Sequence, residues 1–477
     1  MMATSSVSRA AAVLIVLVAA AAGCGRRRVD PTPVPAPVRP APRGLVGAGG
    51  CTSSGCHAAP VADHAPWQSA YTVWSTRDPH ARAHEALRGP LAERILAAVA
   101  ARDPTRPQPP AHEHMACVGC HATARGAAAG EGVSCESCHG PAGQWLAAHA
   151  AAGWQARGNT LGMTDLSDPF VCATMCADCH VGGPPTADGA IREVTHDLIA
   201  AGHPRLAFEL RGYRRAEPPH WRDRFATPAD AGAPGPVDEW AQGRLAALAS
   251  FLRQVESQAE AARTGRRGLT CGAWPEFTAF DCHGCHRPAA FASAAPPSAV
   301  PADAPPGSPR LEPMVWTHLD VLLDPAAVET FARVRRRIEA TWARVPEAGP
   351  LADATRAVEA ARAGVHDRLA ASAAGDLADR IVAGTNAANW AEAVSALAGL
   401  EAVADREVAA GRLAPDAAVR SRLAALRDLL EFPVEQAEGR TERFSSPRGY
   451  DAAAVAEHLR AIAEGVRGAP PIAPGAR

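Results

Sequence analysis

The chain has 477 residues, 47% hydrophobic and 21% charged, which excludes a wholly disordered protein, and its length leaves room for about three domains. Its 48 basic and 50 acidic residues give a formal charge of −2, so no basic footprint points to nucleic acid; every basic residue is arginine, which removes lysine-based chemistry. Aromatics are only 5%, so a large core has to come from alanine, leucine and valine or from something that is not protein, while thirteen cysteines are too many for an idle cytosolic chain and too scattered for a disulfide scaffold.

At the start, Arg9 precedes thirteen apolar residues, Ala10–Ala22, and then Gly23-Cys24. That run is too short for a hydrocarbon core that needs about 20 residues, but it suits the apolar region of a secretory signal. Ala21-Ala22-Gly23-Cys24 resembles a bacterial lipoprotein box, which implies cleavage before Cys24 and lipidation of its sulfur. The alternative is an ordinary signal peptide cut nearby. Asp30–Pro42 carries six prolines, a semi-rigid tether behind the anchor. Residues 1–23 therefore read as a lipoprotein signal peptide and 24–48 as a Pro-rich tether. The expectation is an exported, lipid-anchored protein on the periplasmic side of a bacterial membrane. Gly25 in place of the aspartate that retains some lipoproteins inside favours the outer membrane.

Further along, Cys117-Val-Gly-Cys120-His121, Cys135-Glu-Ser-Cys138-His139, Cys176-Ala-Asp-Cys179-His180 and Cys282-His-Gly-Cys285-His286 are four CxxCH motifs. Two thiols one short turn apart reach the two vinyl groups of a haem, and the next histidine falls under the iron. One such motif can be half a zinc site or a redox dithiol; four in one exported chain point to haem c. Cys51-Thr-Ser-Ser-Gly-Cys56-His57 is the looser CxxxxCH, with a local disulfide as its alternative. The expected count is five haems. Cys172 and Cys271 remain: they pair as a disulfide, or Cys172 is an alternative attachment point.

The sixth position on each iron separates carrier from catalyst. Before the cysteine-free stretch the remaining histidines are His64, His80, His84, His112, His114, His149, His196, His203, His220 and His283. His318, His366 and His458 read as ordinary. His80 follows the helix-starting Asp78-Pro79, with His84 one turn on. His149 lies ten residues past the third motif. His196 and His203 flank a turn containing Gly202, and His220 in Pro218-Pro-His-Trp221 is a further candidate.

Several stretches carry a resemblance: Gly132-Val-Ser-Cys-Glu-Ser-Cys-His-Gly-Pro141 with Trp145 and His149, Ala200-Ala-Gly-His-Pro-Arg-Leu-Ala-Phe-Glu209, Pro219-His-Trp221 and Trp274-Pro-Glu-Phe277. Over residues 49 to 290 the chain resembles multihaem c-type cytochromes related to cytochrome c-554, the electron acceptors of hydroxylamine oxidoreductase. The resemblance implies His80, His149, His196 and His203 as distal ligands, each to a different haem, and redox proteins as partners. Five haems with a CxxxxCH start depart from the four-haem type, which leaves the donor open.

Residues 49–290 form the expected pentahaem domain, of short helices and loops wrapped on stacked macrocycles that serve as its core. Trp67, Tyr71 and Trp74 fall at helical spacing and are expected to pack on a porphyrin or the core. Val237–Arg263 reads as one amphipathic helix stopped by Gly265. A Pro/Ala linker covers 291–310. Residues 311–477 then read as an α-helical bundle of four or five helices, with starts at Asp324, near Trp390, at Pro415 and at Asp451. The expected fold class is mainly α. The expected function is electron transfer through mostly bis-histidine haems rather than catalysis. The competing reading is an oxidoreductase with one five-coordinate haem acting on a small nitrogen or sulfur compound. The CxxCK lysine of pentahaem nitrite reductases is absent, and Tyr71, Tyr213 and Tyr450 lie in no motif like that of the tyrosine cross-linked to the catalytic haem of hydroxylamine oxidoreductases.

Overall fold

The computed structural model describes residues 44–61, 65–102, 108–124, 126–154, 159–183, 192–221, 235–265, 274–285, 308–414, 418–431, 434–437, 440–443 and 450–468. The signal segment, most of the tether, Cys24, His64, Cys271, His286 and most of the 291–310 linker lie outside the described residues. Residues 43–477 form one compact unit.

The chain is mainly α, as an alanine- and leucine-rich sequence favours. Two strands, Val434–Ala437 and Arg440–Arg443, form an antiparallel pair with Val434 opposite Arg443. The organising element is the long helix Pro236–Thr264. Proline at its first position is preset for helical φ, and Asp238 accepts the Gly235 N–H at 2.9 Å. Gly265 ends it at φ 68°, a left-handed conformation that costs glycine little. One apolar face is expected from the sequence; the structure buries nearly the whole circumference, with Trp240, Leu245, Leu248, Leu252 and Val255 fully enclosed. Small residues permit this. A Cβ at Gly243 would lie 2.8 Å from the Leu210 Cβ, so only glycine lets those backbones approach so closely.

This helix packs against Pro169–His180 and Leu210–Ala216, and also against Ala348–Ala361 and Trp390–Ala409. Phe170, Ala177, Phe208 and Leu210 share one apolar cluster with Phe331, Leu377, Leu397, Leu426 and Ile462. The cysteine-bearing segment and the bundle are therefore joined through a common core, although the sequence assigns the long helix to the former.

Within 311–477 the starts at Asp324 and Asp451 hold. Asp324 accepts the Ala327 N–H at 2.9 Å ahead of Pro325–Ala340, and Asp451 caps Ala452–Arg467. Pro415 lies outside the described residues, and its helix is described over Ala418–Leu430 with Val419, Leu423, Leu426 and Leu430 buried. Four or five helices are too few. Nine α-helices occur among the described residues of this stretch, including Ala348–Ala361, Val365–Ala370 and Ala374–Ala383. Alanine and one-turn lengths blur the 3.6-residue pattern there.

Residues 44–221 are built otherwise. Turns and short helices dominate, and apart from the cluster shared with the bundle the apolar grouping is Leu87, Ala92 and Ala111. Trp67, Met115 and, beside the last motif, Phe277 are 49%, 37% and 45% exposed.

Candidate haem-binding site

The four CxxCH motifs sit on helical turns: Met115–His121, Cys135–His139, the end of Pro169–His180, and Cys282–Cys285. A helical turn sets cysteines three apart on one side, as double attachment to one macrocycle requires. Two of the four starts carry a side-chain cap. The His114 ring accepts the Ala116 N–H at 3.1 Å, and Asp168 accepts from Phe170 at 2.8 Å and from Val171. In the looser motif, Cys51 ends the turn Ala48–Cys51, and the N–H groups of Cys56 and His57 both reach the Ser53 carbonyl. Glu136, inside the third motif, gathers the N–H groups of Val46, Gly47 and Ala142 at 2.6–3.0 Å, tying the chain entry to that turn.

The motifs are brought close to one another. The Cys51 thiol hydrogen-bonds that of Cys135, and Cys120 that of Cys179, so motifs one and three adjoin, as do two and four. Cys172 hydrogen-bonds Cys176 one turn along the same helix, which places it beside an attachment cysteine; Cys271 is not described.

The histidines separate by what their ring nitrogens do. A metal-bound imidazole commits one nitrogen to the metal and gives the other N–H to an acceptor that fixes its tautomer. His57 donates from Nδ1 to the Trp67 carbonyl at 2.6 Å, His121 to Ala83 at 2.9 Å and His203 to Pro204 at 2.8 Å. His149 donates from Nδ1 to the Leu146 carbonyl, and His80 to the Asp78 carboxylate at 2.9 Å. All five leave Nε2 for an iron. His84 spends Nε2 on the His112 carbonyl, and His114 spends both nitrogens, on Gln108 and Ala116. His318 is likewise engaged at both, by Ser395 and by Ile381 with Thr385, and is a structural core residue.

The pairings test whether these residues fit haem. Two imidazoles on opposite sides of one metal have ring centroids about 6 Å apart, with roughly 2 Å for each metal–nitrogen bond. His57 and His149 are 6.0 Å apart with rings 13° from parallel. His180 and His80 are 6.2 Å apart at 77°. His121 lies in electrostatic range of His203, and His139 in that of His220. His84 and His112 are also 6.3 Å apart, but neither follows a cysteine motif and the His84 Nε2 is engaged by the His112 carbonyl. The Glu276 carboxylate accepts the His196 N–H at 2.7 Å, fastening His196 to the segment that enters the last motif; His286 itself is not described.

Burial reinforces this chemistry. It pushes His139 and His180 down to about 4, which keeps their imidazoles neutral and able to donate a lone pair. It raises the Cys117 thiol to about 11 and Cys138 to about 12. Burial opposes ionisation of Asp78, yet its bonds from His80 hold the carboxyl below the ordinary range. The donor set fits haem c.

The sequence missed the supports. Asp78 is legible only as a helix start, yet it holds His80; Glu136 is hidden inside a CxxCH. The helix Leu210–Ala216, between His203 and His220, is bolted to the bundle. There Arg211 reaches Glu239 at 3.1 Å and also Asp405, Arg214 also meets Glu239, and Arg215 meets Glu401 at 2.7 Å.

No curated protein and no solved structure matches this chain. Residues 51–140 match the family model described as cytochrome c554 and c-prime, so over its first three cysteine motifs the chain is similar to that family of c-type cytochromes.

Proposed function

We propose that this protein is an exported, lipid-anchored pentahaem cytochrome that passes electrons between redox proteins on the periplasmic side of a bacterial membrane. The observation that carries the reading is the convergence of attachment histidines with second histidines, of which His80, His149 and His203 have Nδ1 already engaged. The ligand pairs are His57 with His149, His121 with His203, His139 with His220, His180 with His80, and by elimination His286 with His196. Haem iron supplies a one-electron couple, and two imidazoles hold it six-coordinate in both states. The chain's residues do the rest. Backbone carbonyls and Asp78 orient the rings, and burial keeps His139 and His180 neutral. The contacts of Cys51 with Cys135 and of Cys120 with Cys179 draw the attachment points into neighbouring pairs, which is what hopping from site to site requires.

The signal and the lipid at Cys24 anchor the protein, and the tether spaces it from the membrane. The bundle acts as a buttress: its arginine–carboxylate bolts reach the helix that carries His203 and His220 on its flanks.

Electron paramagnetic resonance of the air-oxidised holoprotein, with its intact mass, tests this. Five haems by mass and only low-spin signals are expected. One high-spin iron per chain would mean an open coordination site and move the enzyme reading forward.

A further inference from the structure

The ligand histidines are not backed alike. His57, His121, His149 and His203 each give Nδ1–H to a neutral backbone carbonyl. His80 gives its Nδ1–H to a carboxylate, Asp78 Oδ1, at 2.9 Å, and the same oxygen accepts the His80 backbone N–H at 2.9 Å. The Asp78 side chain is 4% exposed, so water screens this charge poorly, whereas the His80 ring is 42% exposed in the haem-free chain. The register is fixed from the far side: Val133 N–H donates to the His80 carbonyl at 3.0 Å, and a Cβ at Gly132 would lie 2.6 Å from that carbonyl oxygen. A second, half-buried carboxyl joins the group, with ligand atoms of Asp78, His80 and Glu217 all within 4.8 Å of one another.

A carboxylate on Nδ1 pulls the proton toward itself and gives the ring imidazolate character. The ring then donates more strongly through Nε2 and favours the ferric over the ferrous iron. A backbone carbonyl does this far less. We infer that Asp78 is a positioning and tuning residue that makes the iron held by His80 and His180 more reducing than those held by the carbonyl-backed pairs His57/His149 and His121/His203. The inference rests on the bis-histidine reading above. It assigns that iron a place late in filling and early in emptying.

The test is a spectroelectrochemical titration of the pentahaem holoprotein, wild type against Asp78→Asn, followed by absorption and paramagnetic resonance. The asparagine oxygen still accepts the His80 N–H, so the turn keeps its cap. One of the three lowest steps is expected to rise by at least tenfold in its equilibrium constant, 59 mV for one electron. The other four steps stay, and one low-spin signal changes its g values. Asp78→Ser, which retains a capping oxygen too short to reach the ring, should give the same shift. Glu217→Gln, which removes charge without touching Nδ1, should move that step less. No shift, a shift confined to the two highest steps, or an equal effect of Glu217→Gln would overturn the inference. A wild-type mass with fewer than five haems, or a high-spin iron in the wild type, would instead overturn the function on which it rests.

Discussion

Residues 44–221 and the bundle built around Pro236–Thr264 obey different rules although they share one compact unit. The bundle closes on its own side chains: Trp240, Leu248, Phe331, Leu377, Leu426 and Ile462 are enclosed, as in any helical core. The attachment segment leaves Trp67 and Met115 open in the haem-free chain and gathers its own apolar group around Leu87, Ala92 and Ala111. Its order comes from hydrogen bonds to single atoms, such as Glu136 on three N–H groups and carbonyls on histidine rings. Apolar burial scales with area and stabilises without a cofactor. Polar clamps that shape a cradle stabilise little until the cradle is filled. The first region is thus a holder completed by its contents, and the second is complete in itself.

The sharpest way to break this contrast is to replace the ten attachment cysteines by alanine and digest the haem-free protein with a protease. The residues before Asp168 are expected to be lost, while Pro169–His180, Leu210–Ala216 and fragments spanning 236–265 and 308–468 survive and stay associated; uniform protection would erase the contrast. Next, Leu248→Ala in the enclosed helix should lower stability by about 2–5 kcal/mol in denaturant unfolding followed by helical dichroism, and leave the haem spectrum alone. The bolt between the regions comes third. Glu239→Leu strips a carboxylate from the buried Arg211 and from Arg214, at a cost of roughly 3 kcal/mol, and it should also disturb the low-spin signals of the His203 and His220 irons.

A pH scan separates the regions further. Burial holds His318 neutral in the folded bundle down to about 3, against 6.5 for a free imidazole. Below about 6.5 the unfolded chain therefore binds a proton that the folded one refuses. Stability is intact above that value and falls by about 1.4 kcal/mol per pH unit as the pH drops toward 3. His318→Asn, which tolerates the left-handed φ of 65° at this position, should flatten that decline in unfolding midpoints taken from pH 7 to 4. The smallest effect is Asp168→Ala, which removes the cap of Pro169–His180 and should cost about 1 kcal/mol by the same unfolding measurement.

How much of this the sequence carried depended on how local the cause is. Attachment by CxxCH is written within five residues, and so is a cap such as Asp324 or Asp451 or a stop such as Gly265. Pairing of ligands is not. His220 looks weaker than His149 because nothing near it in the chain reveals that it approaches His139, and the bond from the His84 Nε2 to the His112 carbonyl is equally invisible in the sequence. The enclosure of the long helix depends on Gly243, which marks nothing by itself and matters because Leu210 arrives there.

The last attachment motif differs from the others in its neighbours along the chain. It lies between the long helix and the rest of the bundle, and it is laced to the latter: Phe280 bridges Leu311, Asp281 N–H donates to the Arg310 carbonyl at 2.8 Å, and Glu312 N–H donates to that of Ala279 at 3.0 Å. On the proposed function, this sets the last attachment site apart from the other four during maturation. A chain emerging amino end first presents Cys51 to His180 to the attachment machinery before any bundle exists. Cys282 and Cys285 become available only as the bundle begins to close over their flanks, so loading of the last site and folding of the buttress compete for the same moment.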